Sequence, residues 1–132
     1  MARPVGLAID CAHPAALARF WAEALGYPLP EAPAPAGDAD APEPDVYLDP
    51  PEAGFPGVYF QRVPEPKVAK NRLHLDVAVG GWTTLDEKRA LIDAEAARLV
   101  ALGASDHRGP IEEGGSYWVR MNDPEGNEFC LD

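Results

Sequence analysis

The chain is 132 residues long, 46% of them hydrophobic and 25% charged, with a net charge of −11. That is the length of one domain able to bury a core without metal or disulfide staples, and no window approaches the roughly 18 apolar residues of a membrane span. Three basic face ten acidic residues in positions 1–66, and eight face twelve in positions 67–132, so no basic patch exists to hold nucleic acid or an anionic membrane.

Val5 to Cys11 is a short apolar run that predicts a strand. His13-Pro14 then opens a helix, since proline suits the first helical turn; Leu17, Phe20, Trp21 and Leu25 follow at helical spacing and Gly26 stops it. Residues 30–44 hold five prolines and little that is bulky, which reads as an exposed loop. Val46–Asp49 and Val58–Val63 predict two strands joined by a turn, and Pro64–Lys70 a linker. Leu73–Val79 predicts another strand, broken by Gly80-Gly81. Thr83 or Thr84 caps a long helix to Leu102, with Leu85, Leu91, Ile92, Ala96, Leu99 and Val100 on one broad stripe and Gly103 at its end. Short strands follow near 104–108, 116–121 and 127–131.

The chain therefore says nearly the same thing twice. Ala24-Leu25-Gly26-Tyr27 ends one helix and Ala101-Leu102-Gly103-Ala104 the other; Asp49-Pro50 and Gly57-Val58-Tyr59-Phe60-Gln61 match Asp123-Pro124 and Gly126-Asn127-Glu128-Phe129-Cys130. A repeat of this size predicts two modules, 1–66 and 67–132, each strand, helix, then three strands, paired around a cleft. Asp123-Pro124-Glu125-Gly126-Asn127 reads as turn chemistry. Cys11 and Cys130 lack the close spacing of a zinc knuckle or redox pair. No apolar signal region follows Arg3, so a cytoplasmic protein with reduced thiols is expected, although spacing leaves a bridge open. His13 and His107 read as surface residues.

Four segments carry a resemblance: Phe20-Trp21-Ala22-Glu23-Ala24-Leu25-Gly26-Tyr27, Phe60-Gln61-Arg62-Val63-Pro64-Glu65, Asn71-Arg72-Leu73-His74-Leu75-Asp76-Val77 and Asp123-Pro124-Glu125-Gly126-Asn127-Glu128-Phe129-Cys130. Together with the repeat they resemble the vicinal oxygen chelate superfamily (glyoxalase, bleomycin resistance, extradiol dioxygenase), and within it the small glyoxalase-like domains. The resemblance implies an α+β fold of two tandem βαβββ modules whose sheet curls around a cleft. In metal-dependent members it implies a divalent cation (zinc, nickel, manganese or iron) held by one residue from the first and last strands of each module. Carried over, those positions fall on Gly6 (with Ala8 two residues on), Gln61, His74 and Cys130. His74 is a suitable ligand and Gln61 a weak one; Cys130 stands where glutamate is usual, and Gly6 has no side chain. Strand alternation puts Asp76 on the face of His74, and Asp10 on that of Gly6 and Ala8.

The expectation is thus a protein that binds a small apolar or aromatic molecule in the cleft without the full metal site. His74 and Cys130 are the candidate catalytic residues, and Asp10, Gln61, Asp76, Tyr59 and Trp118 the candidate ligand contacts. The alternative is a divalent-metal-dependent lyase, isomerase or dioxygenase with His74 and Gln61 as ligands, which leaves enzymatic activity open. Small members of the superfamily commonly pair, so a homodimer is expected, and Trp82 is a candidate for the contact. A subunit-interaction module is the third class.

Overall fold

The computed structural model describes residues 1–32, 38 and 40–132, and of residues 107 and 108 the backbone alone. Much of the proline-rich segment read as a loop, and the side chain of His107, lie outside the described residues. The chain divides into two compact units, Met1–Pro66 and Lys67–Asp132. The fold is α+β, as expected: among the described residues two helices pack on open sheets of mixed strand direction. Among the described residues no helix is long and apolar enough to cross a membrane.

The first unit runs β1 (Leu7–Cys11), α1 (Pro14–Leu25), β2 (Val46–Leu48) and β3 (Val58–Arg62). Only two strands follow the helix among the described residues, where the repeat predicts three. The sheet order is β1-β3-β2, with β1 parallel and β2 antiparallel to β3. Helix α1 forms as its spacing predicts, burying Leu17, Ala18, Phe20, Trp21 and Ala22, and Phe20 meets Trp21 edge to face at 5.6 Å. Gly26 ends it at φ 67°, a left-handed cap that glycine adopts without steric cost. His13 occupies the N-cap, yet its side chain caps nothing. The Ala15 N–H instead donates to Oε1 of Glu43 at 2.9 Å.

The second unit runs β4 (Asp76–Val77), α2 (Leu85–Ala101), β5 (Ser105–Glu113), β6 (Ser116–Asn122) and β7 (Glu128–Leu131), in sheet order β4-β7-β6-β5. The opening strand is far shorter than the Leu73–Val79 run predicted. It is the sheet's edge, tied only to β7, with single ladder bonds extending it at Leu75 and Val79. β5 is longer than predicted, continuing through Gly109-Pro110 by a register shift between Asp106 and Pro110. An edge strand tolerates this, because proline's missing N–H falls where no partner needs it.

Thr84 caps α2 in a reciprocal box with Glu87. The buried stripe of α2 is narrower than the broad one predicted: Ile92 and Leu99 are buried, whereas Leu91 and Val100 are exposed. Lys88 joins the stripe because Nζ donates to Oδ1 of Asp132 at 2.5 Å and sits 4.9 Å above the Trp82 ring centre. Paired and stacked, its charge is tolerated there.

Glu128 anchors the linker to β7. Its carboxylate accepts the Asn71 N–H at 2.9 Å and Nζ of Lys67 at 3.2 Å. Burial pushes its pKa up, but the N–H groups of Asn71 and Glu128 and the Lys67 charge outweigh it and bring the value down to about 2. The folded value lies below the unfolded one, so this stabilisation is complete above the ordinary glutamate range and lost as pH falls from there toward 2. We predict a loss on the order of 1–2 kcal/mol between pH 6 and pH 2.5, after allowing for solvent screening. Urea unfolding of the wild type and Glu128→Gln checks it: equal losses in both proteins would refute the assignment.

Candidate functional site

The pleat of the second sheet sorts its side chains into two faces. β6 alternates half-buried and buried from Ser116 to Asn122, and β7 does the same from Glu128 to Leu131. Tyr117, Val119, Met121, Phe129 and Leu131 form the buried face, on the side where α2 packs against β6. The other face carries the chemistry. Asp76 pairs with Cys130 and Cys130 with Arg120 across three adjacent strands, which sets all three on one face. Two residues along each strand, His74, Asp132 and Trp118 share it.

Five of these side chains, His74, Asp76, Trp118, Cys130 and Asp132, line a cavity of about 310 Å³ together with Ser116. His74 Nδ1 lies 2.9 Å from Oδ1 of Asp76 and donates to it. One ligand-type atom each from His74, Asp76 and Cys130 lie within 4.8 Å of one another. Burial pushes the Cys130 thiol pKa up, and the Asp76 charge and a hydrogen bond to Asp76 add to this against the opposing pull of Arg120. The thiol is therefore held protonated, and a nucleophilic Cys130 would need its proton taken by a base first. Lys88 orients Asp132 from behind through the ion pair described above. Nε of Arg120 and Oδ1 of Asn122 are buried with no hydrogen-bond partner among the described residues.

Four of the seven residues singled out in the sequence, His74, Asp76, Cys130 and Trp118, are therefore together in the second unit. His74 stands just before β4 rather than within it, but the expected alternation with Asp76 holds. The other three lie in the first unit. Asp10 pairs with Gln61 and Ala8 with Tyr59 in the β1–β3 register, and all four are exposed on one face of that sheet. The Tyr59 hydroxyl donates to Oδ2 of Asp45 at 2.6 Å, and the Arg62 N–H to Oδ1 at 2.8 Å. These bonds hold the Asp45 carboxyl below its ordinary range, and the same Tyr59 bond holds the phenol above its own. The Gln61 main-chain carbonyl accepts from the Cys11 thiol at 3.6 Å. Cys11 is buried and Cys130 half-buried.

Ser116, Asp132 and Arg120 were missed in the sequence. Each is reached by counting in twos from Trp118 or Cys130, a signal available once those two strands are placed. The superfamily's four metal positions do not make a full set here. Gly6 offers no donor, nor does Ala8, and the amide of Gln61 supplies no charge.

This α+β fold matches that of the glyoxalase/bleomycin resistance/dioxygenase proteins. The chain belongs to the glyoxalase-like domain family, whose profile matches residues 6–131. No curated protein matches the chain. Among solved structures it is similar to a glyoxalase/bleomycin resistance protein/dioxygenase family enzyme from Burkholderia phytofirmans PsJN, with a TM-score of 0.66, 18% identity and 95% of this chain and 93% of that one covered. It is also similar to the fosfomycin resistance protein FosX from Mesorhizobium loti, with a TM-score of 0.64, 14% identity and 99% and 91% covered. A third similar structure, a protein from Agrobacterium tumefaciens, has a TM-score of 0.65, 18% identity and 99% and 96% covered. At these identities the likeness is one of fold.

Proposed function

We propose that this chain binds a small aromatic molecule in the cavity of its second unit, stacked on Trp118 and hydrogen-bonded by the His74–Asp76 pair. The observation that carries the reading is the cavity itself. At about 310 Å³ it falls at the lower end of the roughly 300–1,000 Å³ typical of small-molecule sites. It offers one aromatic platform and several convergent polar groups. The lining is more polar than a purely apolar ligand calls for, so the ligand carries hydroxyl, amine or carboxylate groups on its ring.

The test is a backbone amide NMR titration with a mixture of phenols, aromatic amines and aromatic carboxylates in chelator-containing buffer. Shifts concentrated at residues 74–76, 116–118 and 130–132, and lost in Trp118→Ala, are the expected result. A compound that binds with its shifts confined to the first unit, or a mixture that moves no resonance in the second, would overturn the reading.

A further inference from the structure

We propose that the cavity of the second unit selects a positively charged ligand, an aromatic ring bearing an alkylammonium group, with Asp76 and Asp132 holding the ammonium beside Trp118. The inference rests on the cavity function proposed above and deepens it by fixing the ligand's charge. Asp76 and Asp132 supply the carboxylates of the lining, and no lysine or arginine among the described residues joins them there. The basic groups nearby stand outside. Lys88 holds Oδ1 of Asp132 and lies over the Trp82 ring. Its side chain is only 8% exposed, so the cavity meets the carboxylate of that pair and not the ammonium. Arg120 pairs with Cys130 in the ladder but does not line the space.

Strand register brings the parts together. Cys130 pairs with Asp76, and Leu131 with Val119. One residue beyond that last pair, Asp132 falls opposite Trp118, and Asp76 stands one strand away on its other side. An ammonium group seated there has a carboxylate on two sides and an aromatic ring beside one of them, the combination that recognises organic cations. The acceptors have capacity left, since a carboxylate accepts roughly four hydrogen bonds. Asp76 accepts from His74 and from the Cys130 thiol, and the Asp132 side chain from Lys88 alone among the described residues. Both side chains are more than half exposed and can turn to meet a ligand. A ligand carboxylate meets the reverse, two like charges and no cation in the lining to answer them. The net charge of −11 adds a field that draws cations toward the protein.

The test is an amide NMR titration of the full-length, reduced chain, in chelator at pH 8, with three compounds that share a ring and differ in charge: 2-phenylethylammonium, 2-phenylethanol and 3-phenylpropanoate. At that pH imidazole is ordinarily neutral and an alkylammonium still charged. The ammonium is expected to bind about tenfold more tightly than the alcohol, the combined effect of two half-exposed charge pairs, and the carboxylate more weakly than the alcohol. Added salt shrinks the ammonium's advantage. Asp76→Asn, which leaves the Lys88–Asp132 pair intact, costs the ammonium about threefold, half of that advantage on the free-energy scale. Asp76→Asn with Asp132→Asn removes the advantage and leaves the alcohol's affinity unchanged, whereas a merely structural role would weaken both compounds. Circular dichroism and thermal unfolding confirm that each variant is folded. The proposal is overturned if the alcohol or the carboxylate binds in the cavity as tightly as the ammonium, or if Asp76→Asn leaves the preference untouched. Either result spares the cavity reading, because the shifts still fall at residues 74–76, 116–118 and 130–132. Failure of all three compounds to move a resonance in the second unit sinks both.

Discussion

Replacing Phe60 by alanine is expected to lower the unfolding free energy by about 3–5 kcal/mol, the usual cost of a large-to-small change in a sealed core. Phe60 lies on β3, the central strand of the first sheet, and is fully buried. The aromatic residue beside it in sequence makes the control. Tyr59 points to the opposite, exposed face, where its one described polar contact is the hydroxyl bond to Asp45, so Tyr59→Phe should cost far less. Urea unfolding of both variants with matched m-values checks the pair. Equal costs would mean that the pleat of β3 is assigned to the wrong faces, and the placement of Asp10 and Gln61 would fall with it.

The second large effect is expected at Asp123. This carboxylate is buried, 3% exposed. It accepts the N–H groups of Glu125 and Asn127 on Oδ1 and the Asn127 side-chain amide on Oδ2, all at 2.9 Å. Asp123→Ala strands two main-chain donors inside a tight turn, at about 1–3 kcal/mol each, so a loss of about 3 kcal/mol is expected. Asp123→Asn keeps one acceptor oxygen and should lose about half as much. The turn also sets the register of β6 against β7, and hence the pairing of Cys130 with Arg120. Asp123→Ala should therefore disturb amide shifts at residues 130–132 as well as at the turn. A local disturbance only, with stability unchanged, would show that the register is held by the strands themselves.

How much of this was legible beforehand depended on whether the signal was local. The ends of α1 were, because Pro14 and Gly26 act through their own backbone angles. The Asp123 turn was legible for the same reason. So was the sharing of a face by His74 and Asp76, which follows from strand alternation alone. What failed was decided by partners distant in sequence. β4 shrinks to two residues because only one neighbour supports it. β5 runs on through Gly109-Pro110 because it is an edge. Lys88 sits in a buried stripe because Asp132, 44 residues on, neutralises it. Ser116 and Asp132 entered the cavity unannounced, since a serine and a terminal aspartate carry no pattern until the strands that hold them are in register.

The irregular outer strand of the second sheet bears on how the protein behaves at high concentration. An unpaired strand edge is a template on which another chain can grow a ladder. β5 offers a poor one. Its run of donors is interrupted at Pro110, its path is offset by the register shift beside Gly109 at φ 73°, and Glu113, near its far end, is exposed and charged. The sheet therefore ends in a strand that resists edge-to-edge addition. Straightening it by replacing Gly109 and Pro110 with β-branched residues would trade an awkward turn for an edge on which fibrils can start.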